Sequence, residues 1–193
     1  LPSTLLDPRT ALVIIDLQRG VVGMPTVPHT SEVVAKNSAA LARAFRDQDL
    51  PVVLVRVSFS ADGADVAPGR ITDPMPKNVT FPEGWDELID DLDVQPTDIR
   101  ITKRQWGAFH GTELDLQLRR RGITEIVLTG IATSIGVEST ARAAHEHGYN
   151  VVVVEDATAD RDHASHDHTT TKIFPRLGLV ATTDQILKEL ETR

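Results

Sequence analysis

The chain has no cysteine. That removes disulfides, thiolate metal sites and a cysteine nucleophile at one stroke. Aromatic residues are few, with five Phe, two Trp and one Tyr among 193 residues. No stretch approaches the ~20 apolar residues that span a bilayer, so no membrane partner is expected. Positive charge is also short: 20 Lys and Arg face 28 Asp and Glu, a net charge of −8. Phosphate binding needs cationic surface, so a nucleic-acid partner is not expected either. A small molecule, even an anionic one held by a local lysine, fits this balance. The start Leu1-Pro2-Ser3-Thr4 has no basic segment followed by an apolar run, which predicts a soluble, cytoplasmic protein.

What is present describes a folded α/β chain. Hydrophobic residues make up 40% and charged residues 25%, the balance of a globular protein, and the length suits a single domain over 1–193. Six apolar runs recur: Ala11 to Ile15, Val52 to Val57, Ile99 to Ile101, Ile126 to Leu128, Val151 to Val154 and Leu179 to Ala181. Several are continuous and β-branched, as strands buried on both faces require. Helical patterns lie between them at Val33 to Asp47, Thr112 to Arg121, Glu138 to Glu146 and Thr183 to Leu190. This alternation predicts a doubly wound, six-stranded, mostly parallel sheet with helices on both faces. Ser58 to Glu83 breaks the pattern with Pro68, Pro74, Pro76 and Pro82. Its core, residues 61–82, reads as a mobile region, a lid or a contact with a neighbouring subunit.

In such sheets ligands sit beyond the carboxyl ends of the strands. Asp16 and Gln18 follow the first run, Lys103 to Trp106 the third, and Ala132 to Gly136 the fourth. Taken alone, Asp16 reads equally as a turn former and Lys103 as a solvated side chain. Together, at adjacent strand ends, they read as a coupled acid–base pair. The segment Thr129 to Thr140 carries a strand into a helix through small residues. Its backbone N–H groups could bind an oxyanion or carboxylate, or its glycines could simply permit a tight turn. Arg56, Trp106, Phe59 and Phe109 are candidates for the pocket lining, and Phe59 and Phe109 read equally as core.

These residues carry a resemblance. Ala11 to Gln18, Lys103 to Thr112 and Thr129 to Arg142 resemble, in order, the opening strand, lysine segment and nucleophile segment of the isochorismatase-like hydrolase superfamily. Val154 to Ala157 resembles the strand end that follows. The resemblance implies a Rossmann-like six-stranded parallel sheet, homodimers or homotetramers, and Asp16 and Lys103 as catalytic residues. It further implies a cis peptide before Ala132, whose N–H would serve an oxyanion, with Ser134 and Ile135 beside it at the substrate. The pattern is similar to a bacterial branch of hydrolases with no settled substrate.

One departure matters. Amidase members of this superfamily carry a cysteine nucleophile where this chain has Gly136. Isochorismatases hydrolyse a vinyl ether without such a thiol, by delivering a proton to carbon and then adding water. Asp16 as general acid, Lys103 as its partner and open space at Gly136 suit that reaction. Two other readings stand beside it. One is a non-catalytic protein that binds small acids; the other is an amidase using water, Ser134 or Ser139. Nicotinamidases of this superfamily bind a metal through Asp-x-His after the second strand. Arg56-Val57-Ser58-Phe59-Ser60 offers no such ligands, so no metal or other cofactor is expected there. The run Asp162 to His168 puts His163 on one helical face with His166 and Asp167; it reads as a helix start capped by Asp162 or as metal ligands.

Overall fold

The computed structural model describes residues 4–67, 69–74 and 80–192. Residues 1–3 at the start, and Pro68 and Pro76 of the proline-rich stretch, lie outside them. The apolar runs become β1 (Thr10–Ile15), β2 (Val52–Val57), β3 (Ile99–Lys103), β4 (Glu125–Ile131), β5 (Asn150–Ala159) and β6 (Leu179–Ala181). They form one sheet in the order β3-β2-β1-β4-β5-β6, and every pairing is parallel. The helices are α1 (Arg19–Val22), α2 (Ser31–Asp47), α3 (Leu114–Arg120), α4 (Glu138–Glu146), α5 (His163–His168), α6 (Phe174–Leu177) and α7 (Thr183–Glu191). Among the described residues no helix is long and apolar enough to cross a membrane.

Side-chain alternation along the strands splits the core in two. Leu12, Ile14, Leu54, Val127 and Val152 pack with Val34, Leu41 and Phe45 of α2 and Ile186 and Leu190 of α7. Ala11, Val13, Ile15, Val55, Ile101 and Leu128 pack on the other face with Leu114 and Leu118 of α3 and Ala141 and Ala144 of α4. Both sheet faces are therefore dry, and continuous apolar runs are what that burial selects. The order reverses at β1, which lies between β2 and β4. Asp16 leaves β1 at this switch point, where a crevice for ligands forms.

Strand β4 approaches β1 closely at Gly130, which pairs with Ile15. Its φ is +119°, and a Cβ built there would lie 2.1 Å from the Ile15 carbonyl oxygen. Only glycine fits, on both conformational and steric grounds. The contact also fixes the end of β1, and with it Asp16, against the turn after β4. Gly130→Ala is expected to destabilise the fold by at least ~2 kcal/mol, because strain at a left-handed position adds to a backbone clash. Urea unfolding midpoints at a constant m-value check this.

Candidate active site

Three strand ends build the site. The Asp16 N–H extends the β1–β2 ladder by donating to the Val55 carbonyl at 2.9 Å. The chain then turns at φ +53°, a left-handed conformation that aspartate tolerates better than most residues. Lys103 ends β3 on the same sheet face as Ile101. Its Nζ donates to Asp16 Oδ2 at 2.7 Å and to the Gln105 carbonyl at 3.0 Å. Asp16 is 6% exposed and Lys103 2%. The expectation that the two meet holds, as a nearly dry ion pair.

Gly136 closes the third side. A Cβ built on it would lie 3.4 Å from Asp16 Oδ2, 3.4 Å from the Trp106 carbonyl and 3.0 Å from Ile15 Cγ2. The site therefore has its acid, base and third position in contact. It has less open space than expected at Gly136, because Ile15 Cγ2, Asp16 Oδ2 and the Trp106 carbonyl crowd the place where a Cβ would stand. Gly136 lies in a π-helical turn (Thr133–Val137) that leads into α4. Thr140 one turn on donates to the Gly136 carbonyl at 2.7 Å and accepts from the Ala108 N–H at 3.1 Å, which ties the lysine loop to this turn.

Burial decides the protonation of Asp16. Desolvation raises its pKa to about 6; Lys103 and, to a smaller extent, the Val57 backbone oppose the rise without cancelling it. Asp16 Oδ1 is buried and has no hydrogen-bond partner among the described residues. One oxygen is thus held by the lysine while the other is poised to carry a proton. Among the described residues two of the three Lys103 N–H groups have partners, Asp16 Oδ2 and the Gln105 carbonyl.

The other residues expected at the site distribute differently. The Ile131–Ala132 peptide is cis, as the resemblance implies. The Ser134 N–H donates to Asp160 Oδ2 at 2.7 Å and the Ile135 N–H to the Ala132 carbonyl at 3.1 Å. Those two N–H groups are engaged by the protein itself, so the anion cradle expected across 132–136 is smaller than its sequence suggests. Among the described residues no hydrogen bond joins Ser134 or Ser139 to a histidine, so neither hydroxyl has an activating base. Gln18 is fully buried, with its amide bonded to both the N–H and the carbonyl of Val57 at 2.9 Å. It clamps the end of β1 to β2 and does not face a ligand. Phe109 is 6% exposed and stacks on His147 at 5.1 Å, so it is core rather than pocket wall. The Trp106 ring is 66% exposed, and only its carbonyl reaches the site.

Arg56 points to the opposite sheet face from Val55. There it pairs with Asp86 at 3.3 Å and donates to Thr102 Oγ1 at 3.1 Å. It borders a separate cavity of about 330 Å³ that contains neither Asp16 nor Lys103. Phe59 stacks on Trp85 and meets Phe81 at a tilt at the base of the proline-rich stretch, and so does not form the expected wall beside Phe109. In the run after β5, His163 and Asp167 pair at 3.1 Å on the surface. His166 turns inward and meets Thr133 Oγ1 at 2.9 Å. The single face expected for His163, His166 and Asp167 is thus divided. Asp160, which sequence reasoning missed, holds the turn after β4 from the other side; it directly follows β5, whose Ala159 pairs with Ile131, a register that no sequence pattern shows.

An acid and a lysine at the ends of two parallel strands that flank β2, facing a tight strand-to-helix turn at the switch point, make this the candidate active site of an α/β protein. A model of the isochorismatase domain matches residues 10–185, and the chain belongs to the isochorismatase family. It is 47% identical to the isochorismatase family protein YecD of Escherichia coli O157:H7, over 94% of this chain and 96% of that one. An isochorismatase family protein from Burkholderia thailandensis superposes with a TM-score of 0.93 at 49% identity, covering 97% of this chain and 98% of the other. N-carbamoylsarcosine amidase from Thermoplasma acidophilum superposes with a TM-score of 0.70 at 29% identity, covering 91% and 97%.

The pair makes a stability prediction with a definite sign. Asp16→Asn strands a buried ammonium, which costs roughly 3–5 kcal/mol. Lys103→Met is expected to cost less, because Asp16 can escape its buried charge by binding a proton. The folded-state pKa of about 6 lies above the ordinary aspartate value of 3.8. The folded state therefore binds the extra proton between those values, and the Asp16 contribution to stability is complete below 3.8 and lost as pH rises through about 6. Lys103→Met is expected to be more stable at pH 5 than at pH 7 by urea unfolding, and the double variant to lose less than the two single costs combined.

Proposed function

We propose that this hydrolase works without a covalent thiol intermediate, with Asp16 as the proton-transfer group and Lys103 as its positioning partner. Vinyl-ether hydrolysis of a small carboxylated substrate is the reaction that suits the site best. One observation carries the reading: a buried carboxyl with a raised pKa has one oxygen on Lys103 and the other without a partner, beside a position that bears no nucleophile. In this scheme protonated Asp16 gives its proton to the terminal vinyl carbon. Water then adds to the resulting oxocarbenium carbon, and collapse of the hemiketal releases an alcohol and an enol-derived keto acid. The remaining N–H of Lys103 holds a substrate oxygen, and the Ala132 N–H is the backbone donor nearest the turn for a second. With a pKa of about 6, roughly a tenth of the molecules carry the proton at pH 7, which is adequate for a general acid.

A second reading is hydrolysis of an amide or carbamoyl group by water, with ionised Asp16 as base. The likeness to N-carbamoylsarcosine amidase favours it. The two readings have opposite pH limbs. A general acid loses activity as pH rises above about 6, by about tenfold per unit; a general base gains activity up to about 6 and then levels.

The test is pyruvate release from isochorismate across this pH range, beside ammonia release from N-carbamoyl amides. Release of pyruvate with the falling limb, reduced at least ~100-fold in Asp16→Asn, is the expected outcome. Turnover unchanged in Asp16→Asn would overturn the role of Asp16. Tight binding of small acids by the folded protein with no turnover would replace the hydrolase reading with a binding one.

A further inference from the structure

Behind the turn after β4 lies a cluster that the proposed reaction does not use. His29 comes from the loop before α2, Glu155 from within β5 and His166 from α5. One ligand atom from each lies within 4.8 Å of the others. His29 Nε2 is buried, has no hydrogen-bond partner among the described residues, and stands 3.9 Å from Glu155 Oε1. The His29 and His166 rings meet edge to face with centroids 6.1 Å apart. His166 Nδ1 is engaged by Thr133 Oγ1 at 2.9 Å. With Nδ1–H donating to that hydroxyl, Nε2 keeps its lone pair for an ion. A partner on the far ring nitrogen is how metal-binding imidazoles are oriented.

We propose that His29, Glu155 and His166 bind a divalent transition-metal ion, of which Zn²⁺ is the best match. Two imidazoles and one carboxylate are a borderline donor set that suits Zn²⁺ over the hard cations Mg²⁺ and Ca²⁺. Ligand atoms on a tetrahedral Zn²⁺ are about 3.3 Å apart, so the His29–Glu155 separation closes by roughly half an ångström on binding. Glu155 can supply that movement, since its side chain is 43% exposed. Three protein ligands leave a fourth position facing a cavity of about 480 Å³, lined by Pro28, Thr170 and Val180 among others. A water or a small ligand donor would complete the sphere there. The ion would join the loop before α2, β5 and α5 at one point. Through His166 it would brace Thr133, the first residue of the turn that carries Gly136.

This site is separate from the position after the second strand, where Arg56 to Ser60 supply no carboxylate or imidazole. It is also separate from the exposed His163–Asp167 pair, although both residues border the same cavity. The assignment does not depend on the hydrolase chemistry proposed above.

The experiment uses the full chain, stripped with a chelator and titrated with Zn²⁺ by calorimetry, with bound metal counted by mass spectrometry after dialysis. The variants are His29→Ala, Glu155→Gln and His163→Ala, each compared with the wild type in melting temperature under chelator. The expected result is one Zn²⁺ per chain in the wild type and in His163→Ala. Affinity falls at least about tenfold in both His29→Ala and Glu155→Gln, as loss of one of three ligands requires. Zn²⁺ raises the melting temperature of the wild type more than that of those two variants at the same concentration. No bound Zn²⁺ in the wild type would overturn the proposal. So would full affinity retained in either His29→Ala or Glu155→Gln, or affinity lost in His163→Ala, which would place the ion on the exposed run.

Discussion

The hydrogen bond between Lys103 Nζ and Asp16 Oδ2 is the constraint around which the rest of the site is organised. Two charges nearly removed from water cost several kcal/mol each unless they meet in good geometry. Here they meet because β1 and β3 are each parallel to β2, one on either side of it, and end at the same edge of the sheet. Gln18 clamps the end of β1 to Val57, and Gly130 brings β4 against Ile15. Each device serves placement of the pair more than the core. The energy is supplied elsewhere, by two dry layers of aliphatic side chains on either face of the sheet.

A dry pair with one unpartnered oxygen is poor as a stabilising element and suitable as a proton-transfer site. Burial raises the Asp16 pKa to about 6 although a lysine touches it. That places the carboxyl where it can both hold and release a proton near neutral pH. Gly136 then acquires a role. A side chain there would be pressed between Ile15, Asp16 and the Trp106 carbonyl. With glycine, the third side of the site is backbone, and the chemistry falls to the acid, the lysine and water.

Much of this was legible in the order of residues. The strands were visible because both faces are buried, so β1 reads as an apolar run and β2 as one interrupted only by Arg56. β4 and β5 extend past their apolar runs because Glu125 and Thr158 are buried with polar partners, which hydrophobicity does not show. Asp16, Lys103 and Gly136 could be located because strand ends at a switch point are where ligands bind. Gln18, Arg56 and Phe109 were placed in the pocket on the same ground, and adjacency in sequence was insufficient. The pleat sends Arg56 to the opposite face from Val55, and loop geometry turns Phe109 into the core. His29, Glu155 and His166 left no local signal, since three distant segments supply them. The conspicuous histidine run beside His166 drew attention to side chains that face solvent.

The most direct test of the raised Asp16 pKa is the titration of its carboxyl carbon by NMR, in the wild type and in Lys103→Met. A midpoint near 6 is expected in the wild type and a higher one in Lys103→Met, where the favourable charge is gone and burial remains. A midpoint at or below the ordinary value of 3.8, or one that falls when the lysine is removed, would contradict this expectation.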